Sequence, residues 1–255
     1  MIVVKIGGST LGAHYTTLED LVALQREGTA VVVVHGGGAV VTEWLKIHGA
    51  GTQFVRGLRV TDAAALDVVV AVLAGLVNKQ LAGALNALGG RAVGLSGADG
   101  PTILAEVDDP DYGRVGAVRE VRPSLLSGLV AEGYLPVLSS VGFDRAAVSG
   151  AAALLNINAD TVAGEVAAAL SARRLIFLTD VPGVKGDDGA VRGRLSAADA
   201  EALVRAGTVG GGMIPKVEAC LRAATAGAEA LIIDGREPHA LLAAVRGAGA
   251  GTLVG

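Results

Sequence analysis

Short, almost wholly apolar runs alternate along the chain with longer, helix-length segments. The runs fall at 2–6, 30–34, 91–95, 134–138, 174–179 and 229–233. The segments between them read as helices near 17–27, 39–48, 62–88, 123–132, 160–171, 196–206, 214–226 and 238–246. Such alternation predicts an α/β fold, a parallel sheet with helices on both faces. The stretch 62–88 is the longest, and Asp62 after Thr61 suits its start. Residues 102–106 and 115–121 flank the turn-rich Asp108-Asp109-Pro110-Asp111 and read as an antiparallel hairpin. A second turn-rich stretch, 185–189, reads as an exposed loop. Neither an internal repeat nor a low-complexity segment is visible. A single domain of 1–255 is expected, and any division into two lobes falls near 145–160.

Composition changes this picture in two ways. Hydrophobic residues make up 51% of the 255 positions but aromatics only 3%, so the core is built from Val, Leu, Ala and Ile. Five lysines stand against sixteen arginines, so each lysine merits inspection. Lys46, Lys79 and Lys185 read as surface positions, whereas Lys5 and Lys216 lie beside glycine-rich turns. Net charge is −4 with signs interspersed, and no Lys/Arg run reaches the length of a nucleic-acid patch. No apolar run approaches the ~20 residues that span a bilayer. The chain opens on a strand without a basic leader, and its one cysteine, Cys220, fits a reducing cytosol. A cytoplasmic protein with no nucleic-acid or membrane partner is expected.

Candidate chemistry gathers at the ends of the runs. Lys5 nearly closes the first run and is followed by Gly7-Gly8, while the second run leads into His35-Gly36-Gly37-Gly38. A lysine in a buried strand is costly unless an anion meets it, and glycine turns let backbone N–H groups approach that anion. Together they point to a phosphate-handling site at the carboxyl edge of the sheet. The P-loop, the G-x-G-x-x-G fingerprint and the protein-kinase motifs are all absent, so nucleotide chemistry would need another scaffold. Asn156-Ile157-Asn158-Ala159-Asp160, if extended, puts its three polar residues on one face; alternatively Asp160 caps a helix beginning at Thr161. In Gly210-Gly211-Gly212-Met213-Ile214-Pro215-Lys216, Pro215 suits a first helical position. Lys216 then adds charge at the positive end of a helix, which is useful for holding an anion. Arg59, before the long helix, suits either a bidentate carboxylate contact or a surface pair with Asp62. The four histidines show no metal-ligand spacing, and His35 reads as a structural turn residue. No metal site or thiol nucleophile is expected.

Taken in order, these segments resemble the amino acid kinase family. The matching pieces are Lys5–Gly8, His35–Gly38, 57–62, 75–79, 93–97, 133–137, Asn156–Asp160, 178–184 and 211–217, which span essentially the whole chain. The resemblance implies a three-layer αβα sandwich around a mainly parallel sheet, with an amino-acid-binding lobe at 1–155 and a nucleotide-binding lobe at 156–255. It implies that Lys5 and Lys216 stabilise a transferring phosphoryl group and that Asp160 orients both. Gly37, Gly38, Arg59 and Asn156 would bind the amino acid, Arg59 through its α-carboxylate. Gly7, Gly8, Asp180, Val181, Pro182, Gly183, Val184, Lys185, Thr208, Val209 and Gly210 would border ATP, used with Mg²⁺. Within the family the pattern is closest to the members that phosphorylate the γ-carboxylate of N-acetyl-L-glutamate in arginine synthesis. The alternative is the family's kinase for carrier-linked aminoadipate or glutamate, whose substrates are separated by as little as one methylene. Arginine-inhibited members carry an extra N-terminal helix, whereas here the first run begins at residue 2, the pattern of the shorter, arginine-insensitive homodimers.

Overall fold

The computed structural model describes residues 1–7, 16–55, 58–147 and 153–255. Its centre is an eight-stranded sheet whose order sets the position of everything that follows. β1 (Ile2–Ile6) lies in the middle, and after α1 (Thr17–Arg26) the chain returns as β2 (Val31–His35), parallel to it. Next come α2 (Gly38–Ile47), a small ribbon of β3 (Phe54–Val55) and β4 (Leu58–Arg59), and one long helical stretch. That stretch comprises α3 (Ala63–Val70), a π-helical segment Ala71–Val77 and α4 (Asn78–Ala87). β5 (Ala92–Ser96) closes one edge of the large sheet.

The hairpin of β6 (Ile103–Val107) and β7 (Gly116–Val121) then leaves the main sheet, and α5 (Ser124–Ala131) leads back to β8 (Leu135–Ser139), between β2 and β5. β9 (Val141–Asp144) and β10 (Leu154–Asn156) join the hairpin in a second sheet of four strands, order β10-β9-β6-β7. Beyond it, α6 (Ala159–Ala169) precedes β11 (Arg174–Thr179), which pairs with the other side of β1. β12 (Arg194–Leu195), α7 (Ala197–Arg205), α8 (Met213–Thr225), β13 (Glu229–Asp234), α9 (Ala240–Val245) and β14 (Thr252–Val254) complete the far edge. Within the large sheet only the β13–β14 pair is antiparallel.

The apolar runs fill two cores, one on each face of this sheet. Val3, Val32, Val34, Leu175 and Phe177 pack against α6 and α8, while Ile2, Val4, Val31, Val33 and Ile176 pack against the long helical stretch and α9. Alternate residues of one strand thus serve opposite cores, which is why the strands are apolar throughout. The helix Ala63–Ala87 is long and apolar enough to cross a membrane by length and composition, although Asp67 and Lys79 interrupt its sequence. Its Ala65, Val69, Val72, Leu73, Val77, Leu81 and Leu85 are buried in the second core, so this helix packs on the sheet.

Because β2, β8 and β5 lie to one side of β1 and β11 and β13 to the other, the order reverses at β1. In open parallel sheets a ligand crevice forms at the carboxyl ends beside such a reversal. Lys5 and Gly7 stand at that edge.

Candidate active site

Lys5 is 6% exposed, and its Nζ lies 2.6 Å from Asp160 Oδ1. The other carboxylate oxygen, Oδ2, accepts from Lys216 Nζ at 2.9 Å. One buried carboxylate, at the start of α6, therefore bridges two ammonium groups, one carried by the end of β1 and one by the start of α8. Burial pulls the Lys5 ammonium below its ordinary value, opposed by the attraction of Asp160. Burial pushes Asp160 the opposite way, but the two lysines outweigh it and hold the carboxyl below its ordinary value. Two positive charges and one negative leave a net positive centre, ready for an anion.

Local structure explains how Asp160 is freed for this duty. The extended reading of 156–160 fails: Asn156 ends β10, and α6 begins at Ala159. Asp160 is not the cap either. Asn158 is, its side chain accepting from the N–H groups of Asp160 and Thr161 at 2.8 and 3.3 Å. With the orphan donors of the helix start satisfied by Asn158, both Asp160 oxygens remain for the lysines. Similarly, α8 begins at Met213, so Pro215 is the third helical residue rather than the first. Its missing N–H costs nothing there, because that turn has no intrahelical acceptor. Lys216 Nζ also donates to the Gly212 carbonyl at 3.0 Å, which folds its side chain back over the glycine turn.

Beside this centre lies a pocket lined by Gly36–Gly38, Phe54, Arg59, Leu73, Val115, Ser140 and Asn156–Ala159. Gly37 precedes α2, whose first turn carries no capping side chain and no acidic residue. The α2 N-terminus therefore offers free N–H groups to a negative ligand. Gly37 is required in this place: with φ +158, a Cβ would sit 2.8 Å from Leu73 Cδ2. Arg59 is 8% exposed, donates to Gly38 O at 2.9 Å and Thr42 Oγ1 at 2.8 Å, and lies 4.7 Å from the Phe54 ring centroid. It does not pair with Asp62, whose carboxylate caps α3 through Ala65 N. No ion pair to Arg59 occurs among the described residues, and burial lowers the guanidinium from its ordinary value. A buried cation without a carboxylate is an unfilled demand for one.

Lys5, Asp160 and Lys216 thus come together, and Gly37, Gly38, Arg59 and Asn156 share the adjoining pocket. Gly7 donates to Leu178 O at 3.3 Å at the edge between β1 and β11; Gly8 lies outside the described residues. Asp180–Lys185 follow the carboxyl end of β11, and Thr208 reaches the same loop through Asp187. Val184 differs from its partners there: its side chain is in the core, and its N–H donates to Thr252 Oγ1 at 2.8 Å. Val209 is buried as well, while Gly210 is exposed.

One functional neighbour, Thr61, escaped the sequence reading, while His35 is the structural turn residue expected. Buried Thr61 contacts both Arg59 O and Asn156 Nδ2. His35, beneath the glycine turn, donates or accepts at Gly36 O and Asn78 Nδ2, at 2.8 and 3.1 Å. Burial pushes the imidazole pKa down to about 4, so the ring is neutral; Nδ1–H then donates to Gly36 O and Nε2 accepts from Asn78. Cys220 is buried, which pushes its thiol above the ordinary range and leaves it inert.

A crevice at the strand reversal, a carboxylate-bridged lysine pair and a glycine-lined pocket define an enzyme that transfers phosphoryl groups without a P-loop. The chain belongs to the amino acid kinase family, which matches residues 1–234. Among similar proteins are acetylglutamate kinases: that of Dehalococcoides mccartyi strain BAV1 is 46% identical, covering 100% of this chain and 94% of the relative. The one from Parasynechococcus marenigrum is 48% identical, covering 99% and 88%. A solved Streptococcus mutans structure, smu.665, superposes with a TM-score of 0.84 at 29% identity, covering 99% of this chain and 97% of that one. Giardia lamblia carbamate kinase bound to AMP-PNP shares the fold at a TM-score of 0.72 and 18% identity, covering 99% and 97%.

Proposed function

We propose that this chain phosphorylates the γ-carboxylate of N-acetyl-L-glutamate from ATP, giving N-acetyl-L-glutamyl 5-phosphate and ADP in arginine synthesis. The observation that carries the reading is the Lys5–Asp160–Lys216 bridge beside a pocket holding an unpaired Arg59. Arg59 takes the α-carboxylate, Gly37 and Gly38 line the chain through their backbones, and Asn156 contacts the bound amino acid. The γ-carboxylate, with an ordinary pKa of about 4.3, is already ionised at neutral pH and needs no general base. Its oxygen forms a bond to the γ-phosphorus as the β–γ bridging bond breaks, and ADP leaves with the electron pair. Lys5 and Lys216 neutralise charge growing on the equatorial oxygens, while Asp160 holds both ammonium groups in register.

ATP borders 180–185 and 208–210 of a nucleotide lobe at 156–255, together with Gly7 and Gly8 of the amino-acid lobe at 1–155 that faces it. Both Asp160 oxygens are engaged by lysines, and no cluster of three metal-binding side chains occurs among the described residues. That donor set fits Mg²⁺ carried on the nucleotide's own phosphates, where it neutralises charge. The same reading carries a cytoplasmic location and a homodimer, the latter checked by light scattering on the eluting peak.

The alternative, a kinase for a carrier-linked aminoadipate, needs a cationic surface for an acidic carrier near the pocket. Arginines on and beside the second sheet are engaged by carboxylates: Arg119 and Arg145 share Glu106, and Arg122 holds Glu120. The test is acyl-phosphate formation trapped as the hydroxamate, with N-acetyl-L-glutamate, N-acetyl-aminoadipate and glutamate compared. Preference for N-acetyl-L-glutamate supports the proposal. Activity confined to a longer or carrier-linked acid replaces it with the alternative.

A further inference from the structure

Thr61 is fully buried and pinned through its backbone. Its N–H donates to Tyr112 O at 3.0 Å, and its carbonyl accepts from Arg114 N at 2.6 Å. Gly113 fits against it only as glycine, since a Cβ would lie 2.4 Å from Thr61 O. Arg114 O in turn accepts from Asn156 N at 2.9 Å, so the same short segment braces both residues. A threonine held this way presents its hydroxyl in one place.

That hydroxyl has a single hydrogen, and its contacts dictate where it goes. Arg59 O, 2.9 Å away, accepts only, so Thr61 donates there. The remaining lone pair then needs a donor, which Asn156 supplies through Nδ2 at 3.0 Å. Were the amide turned over, Oδ1 would face the Thr61 oxygen and two acceptors would meet without a hydrogen. The chain of bonds therefore fixes the sense of the Asn156 amide. Thr61 does not line the pocket and Asn156 does, so the amide edge turned away from Thr61 is the one a ligand meets. No partner for Oδ1 occurs among the described residues.

We propose that Thr61 is a positioning residue which holds Asn156 Oδ1 toward the pocket as an acceptor for the substrate's α-N–H. The assignment rests on the acylamino-acid reading above and deepens it. The site then selects acids whose α-nitrogen bears a hydrogen, and it rejects isosteres carrying an acceptor there, because two acceptor oxygens would face each other.

The probe pair is N-acetyl-L-glutamate and 2-acetoxyglutarate, in which an ester oxygen replaces the N–H. Binding is followed by calorimetry and turnover by hydroxamate trapping, on wild type, Thr61→Val and Thr61→Ser. Wild type is expected to favour the amide by roughly tenfold or more in Kd. Thr61→Val, which keeps shape and removes the hydroxyl, shrinks that preference to within about threefold, mainly through KM for the amide, with KM for ATP unchanged. Thr61→Ser restores it. Thr61→Ala removes the same hydroxyl without added bulk, should the valine variant fail to fold. Equal wild-type affinity for the two acids overturns the proposal, as does an equal loss for both in the valine variant. Discriminating binding without turnover supports the Thr61 assignment and sinks the kinase reading, so the two failures are separable.

Discussion

At the scale of single residues, the site is a balance of charges that each substitution disturbs in its own way. Lys216→Ala removes the ammonium group that the proposal assigns to the reacting phosphoryl and leaves Asp160 on Lys5. A kcat loss of at least about 100-fold is expected, on the scale of one lost oxyanion donor. Turnover near wild type in that variant would remove Lys216 from its role. Arg59→Ala is expected to raise KM for the amino acid at little cost in kcat, and a pure kcat defect would contradict a binding role. His35 governs a stability effect instead. Its pKa lies near 4 in the folded protein against 6.5 in the free side chain. The unfolded chain therefore binds the extra proton as pH falls from about 6.5 to 4, and stability is lost across that window, by up to about 3 kcal/mol. Above 6.5 the contribution is constant. Urea unfolding of wild type and His35→Gln across this range is the check; a difference between them that does not change with pH would show that His35 is not held neutral.

At the scale of elements, the distance between α6 and α8 sets the distance between Asp160 and Lys216. Gly164 of α6 touches α8 so closely that a Cβ would meet Ala219 Cα, Cβ and O at 2.9 Å each. Backbone atoms cannot yield as a side-chain tip can. Gly164→Ala is expected to cost about 1–3 kcal/mol by overpacking, and to lower kcat by prising the lysine from its carboxylate; an unchanged Tm and kcat would mean the helices part freely. Such spacing was not legible in the sequence, whereas the elements themselves largely were. All six apolar runs became strands, shifted by at most a residue, because burial on both faces leaves a continuous signal. The short strands β3, β4, β10, β12 and β14 carry too few residues for any period to show. The π-helical segment Ala71–Val77 is spelled in ordinary helix residues, yet it sets Leu73 and Val77 against Gly37. At the site, Lys5, Lys216 and the glycine turns stood out by residue type. The capping role of Asn158 did not, because Asn158 and Asp160 compete for the same helix start and only geometry decides between them. Thr61 gave no signal, since a buried hydroxyl acts through partners distant in sequence.

At the scale of the whole molecule, a chain of net charge −4 concentrates positive charge in one crevice. Lys5, Lys216 and Arg59 carry three positive charges there against the single carboxylate of Asp160. Folding must hold these cations together in a poorly hydrated place, a cost that stays until an anion arrives. Substrate binding should therefore be visible in the stability of the whole fold. A ligand at 100 times its Kd stabilises by about 2.7 kcal/mol. For a chain of this size each kcal/mol moves Tm by about 2–4 °C, so N-acetyl-L-glutamate near saturation is expected to raise Tm by about 5–10 °C. Calorimetric scans with the acid alone, a non-hydrolysable ATP analogue alone and both together separate the two halves of the site. If, as proposed, the acid's α-carboxylate meets Arg59 and its γ-carboxylate the lysine pair, Arg59→Ala should shrink the shift with the acid and leave the nucleotide's shift intact. A shift with nucleotide and none with any acid would strip the glycine-lined pocket of its assigned ligand, while leaving the lysine centre to explain the nucleotide.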